Sequence, residues 1–492
     1  MTGGLIQLVS HGIQDIFLTT DPQITFFKAV YRRYTNFTIE AIPLQFLYKP
    51  DFGKRVTCMI SRNGDLIGKM YIVIDLPAIP EFRDDDIIKF AWVRKIGYAI
   101  IKQVEIEIGD ALIDRQYGDW LNIWSELTTS NYYDINAMIG NVKELIEPTN
   151  GKRSYRLYIP LQFWFNKTAG LALPIVALQY DYIKLNLDLS EFNKCINLSP
   201  THYITIDNDI VNLKQNEYLI QKIDNNTINI GKFIHYDILT KRLYYNMITD
   251  SGFTCNTVIY GMTTKFEIKM ENNTTERLYI NRTINFKNIC LKNCFILAEY
   301  IFLDSDERTK FAKAKHEYLI EQLAFDGSST INSSHQSYRI GFINCCKKLL
   351  WVTQLSQSIK NHDYFNYTDN LIRDCNGNLI GKNMITSETI LFNSNERLSY
   401  RNSQYFNWIQ PYQYFTHSPP EGINIYSFSL YPDAYQPAGS ANLSKIDNVD
   451  LKISVNPKIC YDSDAVIRIY GVMYNIFRIV GGISGLVFST DY

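Results

Sequence analysis

The chain has 492 residues, with Lys+Arg 49 against Asp+Glu 50 and a formal net charge of -1. So even a balance argues against a protein whose main task is to coat nucleic acid, because phosphate binding needs a basic surface. Hydrophobic residues at 46% and charged residues at 20% exclude a disordered chain. Tyr 35 and Phe 27 favour half-buried pleated sheet, and the length suits two all-β units of about 200–250 residues each.

The first segment, MTGGLIQLVSHGIQDIF, has no basic leader and no long apolar stretch, so no secretory signal is expected. Leu5, Leu8, Val9, Ile13, Ile16 and Phe17 recur at roughly helical spacing, interrupted by Gly3, Gly4 and Gly12. Residues 1–23 therefore read as an arm that docks on something. From Phe26 the pattern becomes strands with turn punctuation. Val56 to Leu76 reads as two strands about an Asn63-Gly64 turn. Val104, Ile106 and Ile108 alternate with Glu105 and Glu107, as in a strand with one face buried. Asp119 to Thr128 (DWLNIWSELT) reads as a short helix crossing a corner.

From about 195 to 288 the chain is richer in Asn, Asp and Thr and its register is hard to follow. This stretch reads as a surface insertion, where extra length costs little loop entropy. The segment DSDERTKFAKAKHEYLIEQL, Asp304 to Leu323, is charged, and its second part can be helical. It marks a boundary: a first unit over 24–308, a connector over 309–325 and a second unit over 326–492. Ile467 to Phe488 is the most apolar run, but Arg468, Asn475 and Arg478 interrupt it, and a membrane helix needs about 20 mostly apolar residues. Nine cysteines, an odd number without a secretory signal, suggest free thiols in a reducing compartment.

The text also looks doubled. NGDLIGK (Asn63 to Lys69) is matched by NGNLIGK (Asn376 to Lys382), and blocks around the copies follow in a similar order. Phe26 to Glu40 aligns with Ile343 to Leu355, Val104 to Asp114 with Glu388 to Leu398, and Leu157 to Asn166 with Tyr405 to Phe415. Leu173 to Leu189 aligns with Gly422 to Pro432, and Cys294 to Asp304 with Ala465 to Ile479. The heptapeptides are expected to be equivalent hairpins in two tandem units.

Chemistry-bearing motifs are few. A phosphate loop needs G-x-x-x-x-G-K followed by Ser or Thr. Here three residues separate the glycines, and Met70 or Asn383 follows the lysine. Asp84, Asp85 and Asp86 read as a solvated loop, because a hard cation needs several convergent oxygens. The histidines show no H-x-x-x-H spacing, Cys290 and Cys294 have no second ligand pair for zinc, and no G-x-S-x-G elbow occurs. No catalytic, metal or cofactor-binding site is expected, and no cofactor. Among the Asn-x-Ser/Thr sequons, Asn273 and Asn281 are the candidate glycan acceptors.

Several segments resemble one family. They are DPQITFFKAVYRRYTNF (Asp21 to Phe37), KIGYAIIKQVEIEIGDALIDRQYGDWLNIWSELT (Lys95 to Thr128) and YIPLQFWFNKTAGLALPIVALQY (Tyr158 to Tyr180). EYIFLDSDERTKFA (Glu299 to Ala312), HEYLIEQL (His316 to Leu323) and INIYSFSLYPDAYQPAGSANLSKID (Ile423 to Asp447) continue the series. In order and extent these are similar to the major capsid proteins of the nucleocytoplasmic large DNA viruses. The resemblance implies an all-β double jelly roll: two tandem eight-stranded sandwiches with short helices at corners and an N-terminal arm at the base. It implies homotrimers of pseudo-hexagonal outline that tile an icosahedral shell, in a virion assembled in the host cytoplasm. Neighbouring capsomers, minor capsid and penton proteins, and an internal viral membrane on the arm side are the implied partners, with no specific nucleic acid and no enzyme activity. Two other readings stand beside it. One is a minor or scaffold-like double jelly roll of the same viruses. The other is a carbohydrate-active β-sandwich whose Trp120, Trp124 or Trp164 would stack on sugars.

Overall fold

Sixteen of the strands among the described residues fall into two sets of eight. The structure is a computed structural model and describes residues 3–10, 12–81, 87–129, 132–206, 211–223, 228–255, 257–270, 276–277, 289–374, 377–457, 459 and 464–489. The first set is β1 (Phe37–Gln45), β2 (Arg55–Met59), β3 (Leu66–Leu76), β4 (Ile101–Ile108), β5 (Ala111–Tyr117), β6 (Tyr155–Pro160), β7 (Ile183–Leu189) and β8 (Asn293–Leu303). The second is β9 (His316–Ile331), β10 (His335–Arg339), β11 (Cys345–Leu355), β12 (Ile385–Phe392), β13 (Asn395–Asn402), β14 (Ile423–Ser427), β15 (Val449–Val455) and β16 (Ala465–Val480).

The first set forms sheets ordered β1-β8-β3-β6 and β2-β7-β4-β5; the second forms β9-β16-β11-β14 and β10-β15-β12-β13. Adding eight to every strand of the first set reproduces the second. Each set closes on its own apolar filling. Ile72, Ile296 and Leu157 of one sheet meet Val104, Leu185 and Leu187 of the other in the first sandwich. Leu349, Trp351 and Ile467 meet Ile390, Leu451 and Ile453 in the second. Each unit is a jelly roll, in which two sheets cover one another's apolar faces.

This correspondence corrects the reading of the repeat. β2 and β3 lie in different sheets, so Asn63-Gly64 carries a crossover between sheets and not a hairpin turn. Gly377 to Lys382 lies in the long connection from β11 to β12, whereas the equivalent of Leu66 is the start of β11. Asn376 lies outside the described residues. The two heptapeptides are therefore not equivalent: Asn-Gly encodes a local reversal, while sheet order is set by long-range burial. Of the five aligned blocks, two match in topology: the β4–β5 hairpin with β12–β13, and β8 with β16. The other three are displaced by one or more elements. The connector is also reversed. Its first part, Ser305–Lys313, is a helix capped by the Asp304 carboxylate, and its second part is β9. Ile467 to Val480 belongs to β16, paired to β9 and β11 over most of its length, and Ile483–Leu486 folds back on it as a short antiparallel strand. Among the described residues no helix is long and apolar enough to cross a membrane.

The insertion between β7 and β8 builds a sheet of its own. Seven short strands pair in the order Glu267–Ile268, Ile259–Gly261, Tyr218–Lys222, Ile228–Asp237, Arg242–Met247, His202–Thr205, Glu276–Arg277. Ile204, Leu219, Phe233, Leu243, Tyr245 and Ile259 fill a separate core beneath it. It is fastened to the second sandwich. Gln357 Nε2 and Asn361 Nδ2 donate to the Ile248 carbonyl at 2.7 and 2.8 Å, and Lys360 pairs with Asp250.

Strand polarity places these parts at opposite ends. Phe37 stands beside Leu303, and His316 stands beside Ile479. The arm, the end of β8, the start of β9 and the end of β16 thus share one end of the molecule. The insertion leaves after Leu189 and returns at Asn293, the far end of β8. Eleven residues of strand separate the two ends, about 35 Å at about 3.3 Å per residue.

Candidate functional site

The chemistry of this chain lies in its faces. One internal face is the seam between the sandwiches. The helix α3, Gly118–Thr128, places Trp120, Ile123, Trp124 and Leu127 on one side by their i, i+3, i+4, i+7 spacing. They pack on Leu323, Leu350, Val352, Ile423, Ile425, Tyr470 and Val472 of the second sandwich. The sheet β9-β16-β11-β14 is thus buried on both faces, which is why β11 reads as an unbroken buried run. At Gly118 an added Cβ would lie 2.1 Å from the Tyr98 carbonyl oxygen, so only glycine admits α3 so close to its own sandwich.

Polar groups lock this seam. Asp119 Oδ2 accepts from Arg468 Nη1 at 2.8 Å and from the Tyr470 hydroxyl at 2.9 Å, while the Tyr367 hydroxyl donates to Oδ1. Burial alone would lower the Arg468 pKa, but the Asp119 carboxylate outweighs it and the guanidinium stays charged. Burial and then Asp119 hold both tyrosines well above their usual range. Lower on the seam, Glu321 bridges Lys167 of the first sandwich and Lys347 of the second. Burial pushes the Glu321 carboxyl up, yet Lys167, Lys347 and Lys348 together bring it down to about 2. Lys348 is fully buried and depressed to about 8 by desolvation. Its ammonium lies 4.1 Å from the Trp124 ring and 3.3 Å from Asp433. Asp114 accepts from the Leu323 amide at 3.0 Å, and burial raises its pKa to about 7.

The outer faces differ. The arm forms two helices, α1 (Gly3–Val9) and α2 (Ile13–Thr19), followed by extended chain. Its apolar side chains stand in solvent, with Leu18 at 86% and Phe27 at 98% exposure. Contiguous exposed apolar surface of this kind marks an interaction site. Trp120, Trp124 and Trp164 are all buried, so none offers a sugar-stacking platform. Asn273, Asn281 and Asp84 to Asp86 lie outside the described residues. No group of three or more His, Cys, Asp or Glu that could hold a metal occurs among the described residues. The seven described cysteines are free thiols, four of them buried. Sequence reasoning picked out α3 and the arm. It missed Asp119, Arg468, Glu321 and the buried lysines, because their partners lie on other elements, from 26 to 351 residues away.

Comparisons with known proteins agree with this architecture. The family model described as major capsid protein N-terminus matches residues 25–237, and the model described as large eukaryotic DNA virus major capsid protein matches residues 307–485. Probable capsid protein 4 of Acanthamoeba polyphaga mimivirus is 39% identical over 523 residues, covering 100% of both chains. The major capsid protein of Phaeocystis pouchetii virus is 30% identical over 596 residues, covering 99% of this chain and 100% of its own. Among solved structures, VP54 of PBCV-1 matches with a TM-score of 0.64 at 25% identity, over 95% of this chain and 100% of VP54. The Faustovirus major capsid protein matches in fold with a TM-score of 0.62 at 11% identity, over 96% of this chain and 94% of its own. The chain belongs to the major capsid proteins of the large eukaryotic DNA viruses and is a structural protein of the double jelly-roll class.

Proposed function

We propose that three copies of the chain form a capsomer of near-hexagonal outline, and that these capsomers tile the icosahedral shell of a large DNA virus. The observation that carries this reading is the eight-to-eight strand correspondence. Two like sandwiches with the same polarity, fixed side by side, supply two sixths of a pseudo-sixfold ring, so three chains complete it. The exposed arm lies at the end opposite the insertion, which supports an inward, base-facing arm and an outward insertion. Minor capsid and penton proteins, and an internal membrane on the arm side, are the proposed neighbours, with assembly in the host cytoplasm. Within the chain, the proposed units are the arm at 1–23, the first sandwich to about 308 with its insertion, and the second sandwich. Pairing of His316 with Ile479 favours starting the second unit at His316, inside the expected 309–325 connector. Asn273 and Asn281 are proposed glycan acceptors on the insertion, to be sought by glycopeptide mass spectrometry of purified particles.

The test is the mass and outline of the purified protein. Light scattering is expected to give the mass of three chains, and negative-stain images a hexagonal outline. A protein that remains a single chain across concentrations would overturn the reading. High abundance in purified virions distinguishes the main shell component from a minor or scaffold-like one.

A further inference from the structure

The seam inside the chain has an unfilled counterpart outside it. Within the chain, the connection from β5 to β6 carries α3, whose tryptophan-rich side covers the outer face of β9-β16-β11-β14. Under the strand correspondence, the equivalent connection runs from β13 to β14. It is also helical, over Tyr405–Ile409 and Gln410–Tyr414. One side of it, with Phe406, Asn407 and Gln410, is buried against its own sandwich. The other side presents Trp408 at 48%, Ile409 at 45% and Tyr412 at 83% exposure, with Trp408 Nε1 donating to Glu421 Oε1 at 3.0 Å.

The equivalent receiving face is the outside of β1-β8-β3-β6. Alternation along the strands turns Ile72, Ile296 and Leu157 inward to the core, so their neighbours face outward. Register pairs Leu297 with Tyr71 and sets Phe295 and Tyr158 on either side of Val73. Val73 is itself fully buried, while Tyr71, Phe295 and Leu297 are part-exposed and Tyr158 is 37% exposed. On β1 the outward row continues through Ile39, which is 50% exposed. β1 is also an edge strand, and an open edge is a template for another chain. The in-chain equivalent of that edge, β9, is not left open: Gln322 and Leu323 bond to Ile113 and Asp114 of β5.

We infer that Trp408, Ile409 and Tyr412 of one copy seat on the outer β1-β8-β3-β6 face of a second copy, over Tyr71, Leu297 and Tyr158. This contact repeats between chains what α3 does within one. It is heterologous, joining two different patches, so repetition closes a ring when the rotation closes. With the in-chain seam contributing alternate contacts, the ring closes at the third chain. The inference rests on the homotrimer reading and names the surface that makes it.

The test uses the full chain. The double variant Trp408→Asp/Tyr412→Asp, and separately Leu297→Arg on the opposing face, are compared with wild type by light scattering. Far-UV circular dichroism and melting are followed alongside. The expected result is three-chain mass for wild type and at least a tenfold rise in the concentration needed for assembly in each variant, with unchanged dichroism. As a readout independent of variant folding, Tyr412→Cys/Tyr158→Cys is treated with a bismaleimide, against each single variant as control. Chain-to-chain products in the pair alone are expected. A wild-type monomer would sink the homotrimer reading and the inference with it. A wild-type trimer whose variants assemble normally and whose cysteine pair gives no product would sink only the inference.

Discussion

Two buried carboxyls illustrate what single residues contribute. Asp114 sits on the seam with its pKa raised to about 7 by burial, and Glu388 accepts from Trp351 Nε1 inside the second core, where burial holds it well above the usual range. Both keep a proton in the folded state that the unfolded chain has already lost. For Asp114, stability therefore falls as pH rises from about 4 to about 7 and levels off above that window. Asp114→Asn is expected to flatten this slope, because an amide does not titrate over this range. The new Nδ2 can donate to Gln116 Oε1, buried and without a partner, once the Gln116 amide turns. Urea midpoints from pH 4 to 8 measure it, and an unchanged slope would show that Asp114 titrates normally. Glu321 has the opposite sign. Its carboxyl is held down to about 2, so its contribution is present above its ordinary range near 4.5 and is lost as pH falls toward 2.

At the scale of elements, α3 and the arm show two uses of helical spacing. α3 buries its apolar side against a second sheet, and Trp124 also carries the Lys348 and Lys167 ammonium groups over its ring at 4.1 and 4.8 Å. Trp124→Ala is expected to cost about 3–5 kcal/mol, the range for emptying a large aromatic site, read as a lower urea midpoint with unchanged slope. The arm buries no side chain of α1. Deleting Met1 to Thr20 is therefore expected to leave the melting temperature and capsomer mass unchanged while impairing shell assembly, scored by electron microscopy of assembly reactions. Loss of the three-chain mass on that deletion would place the arm inside the capsomer rather than at its base.

On the scale of the whole molecule, the seam makes two jelly rolls behave as one body. Asp119 and Arg468 are held across it with Tyr367, Tyr470 and Gln354, so removing one charge strands the other. Asp119→Ala is expected to cost about 1–3 kcal/mol, as for removing the acceptor of charge-assisted hydrogen bonds at a partly buried pair. It is also expected to split a single calorimetric transition into two. A wild type that already melts in two steps would show that the seam does not couple the units. The insertion adds a second tie, through Ile248 and Asp250 to the β11–β12 connection.

What was legible in the sequence follows from local physics. Period-two alternation marked β4, the segment Asp119 to Thr128 marked α3, and roughly helical spacing marked the arm that holds α1 and α2. Long family-like segments pointed to the double jelly roll. Residue patterns alone gave a mostly-strand chain long enough for two units, since alternation and length are legible in short windows; the double jelly roll and the structural role came from the resemblance of long segments to a family. Strand equivalence, the sheet inside the insertion and the Asp119–Arg468 and Glu321–lysine locks were decided only by tertiary structure. Each depends on groups that meet across long stretches of chain, and burial, not local turn chemistry, selects which segments meet. The two Asn-Gly heptapeptides show the difference: alike in sequence, they stand at unlike places because a reversal is local and a sheet is not.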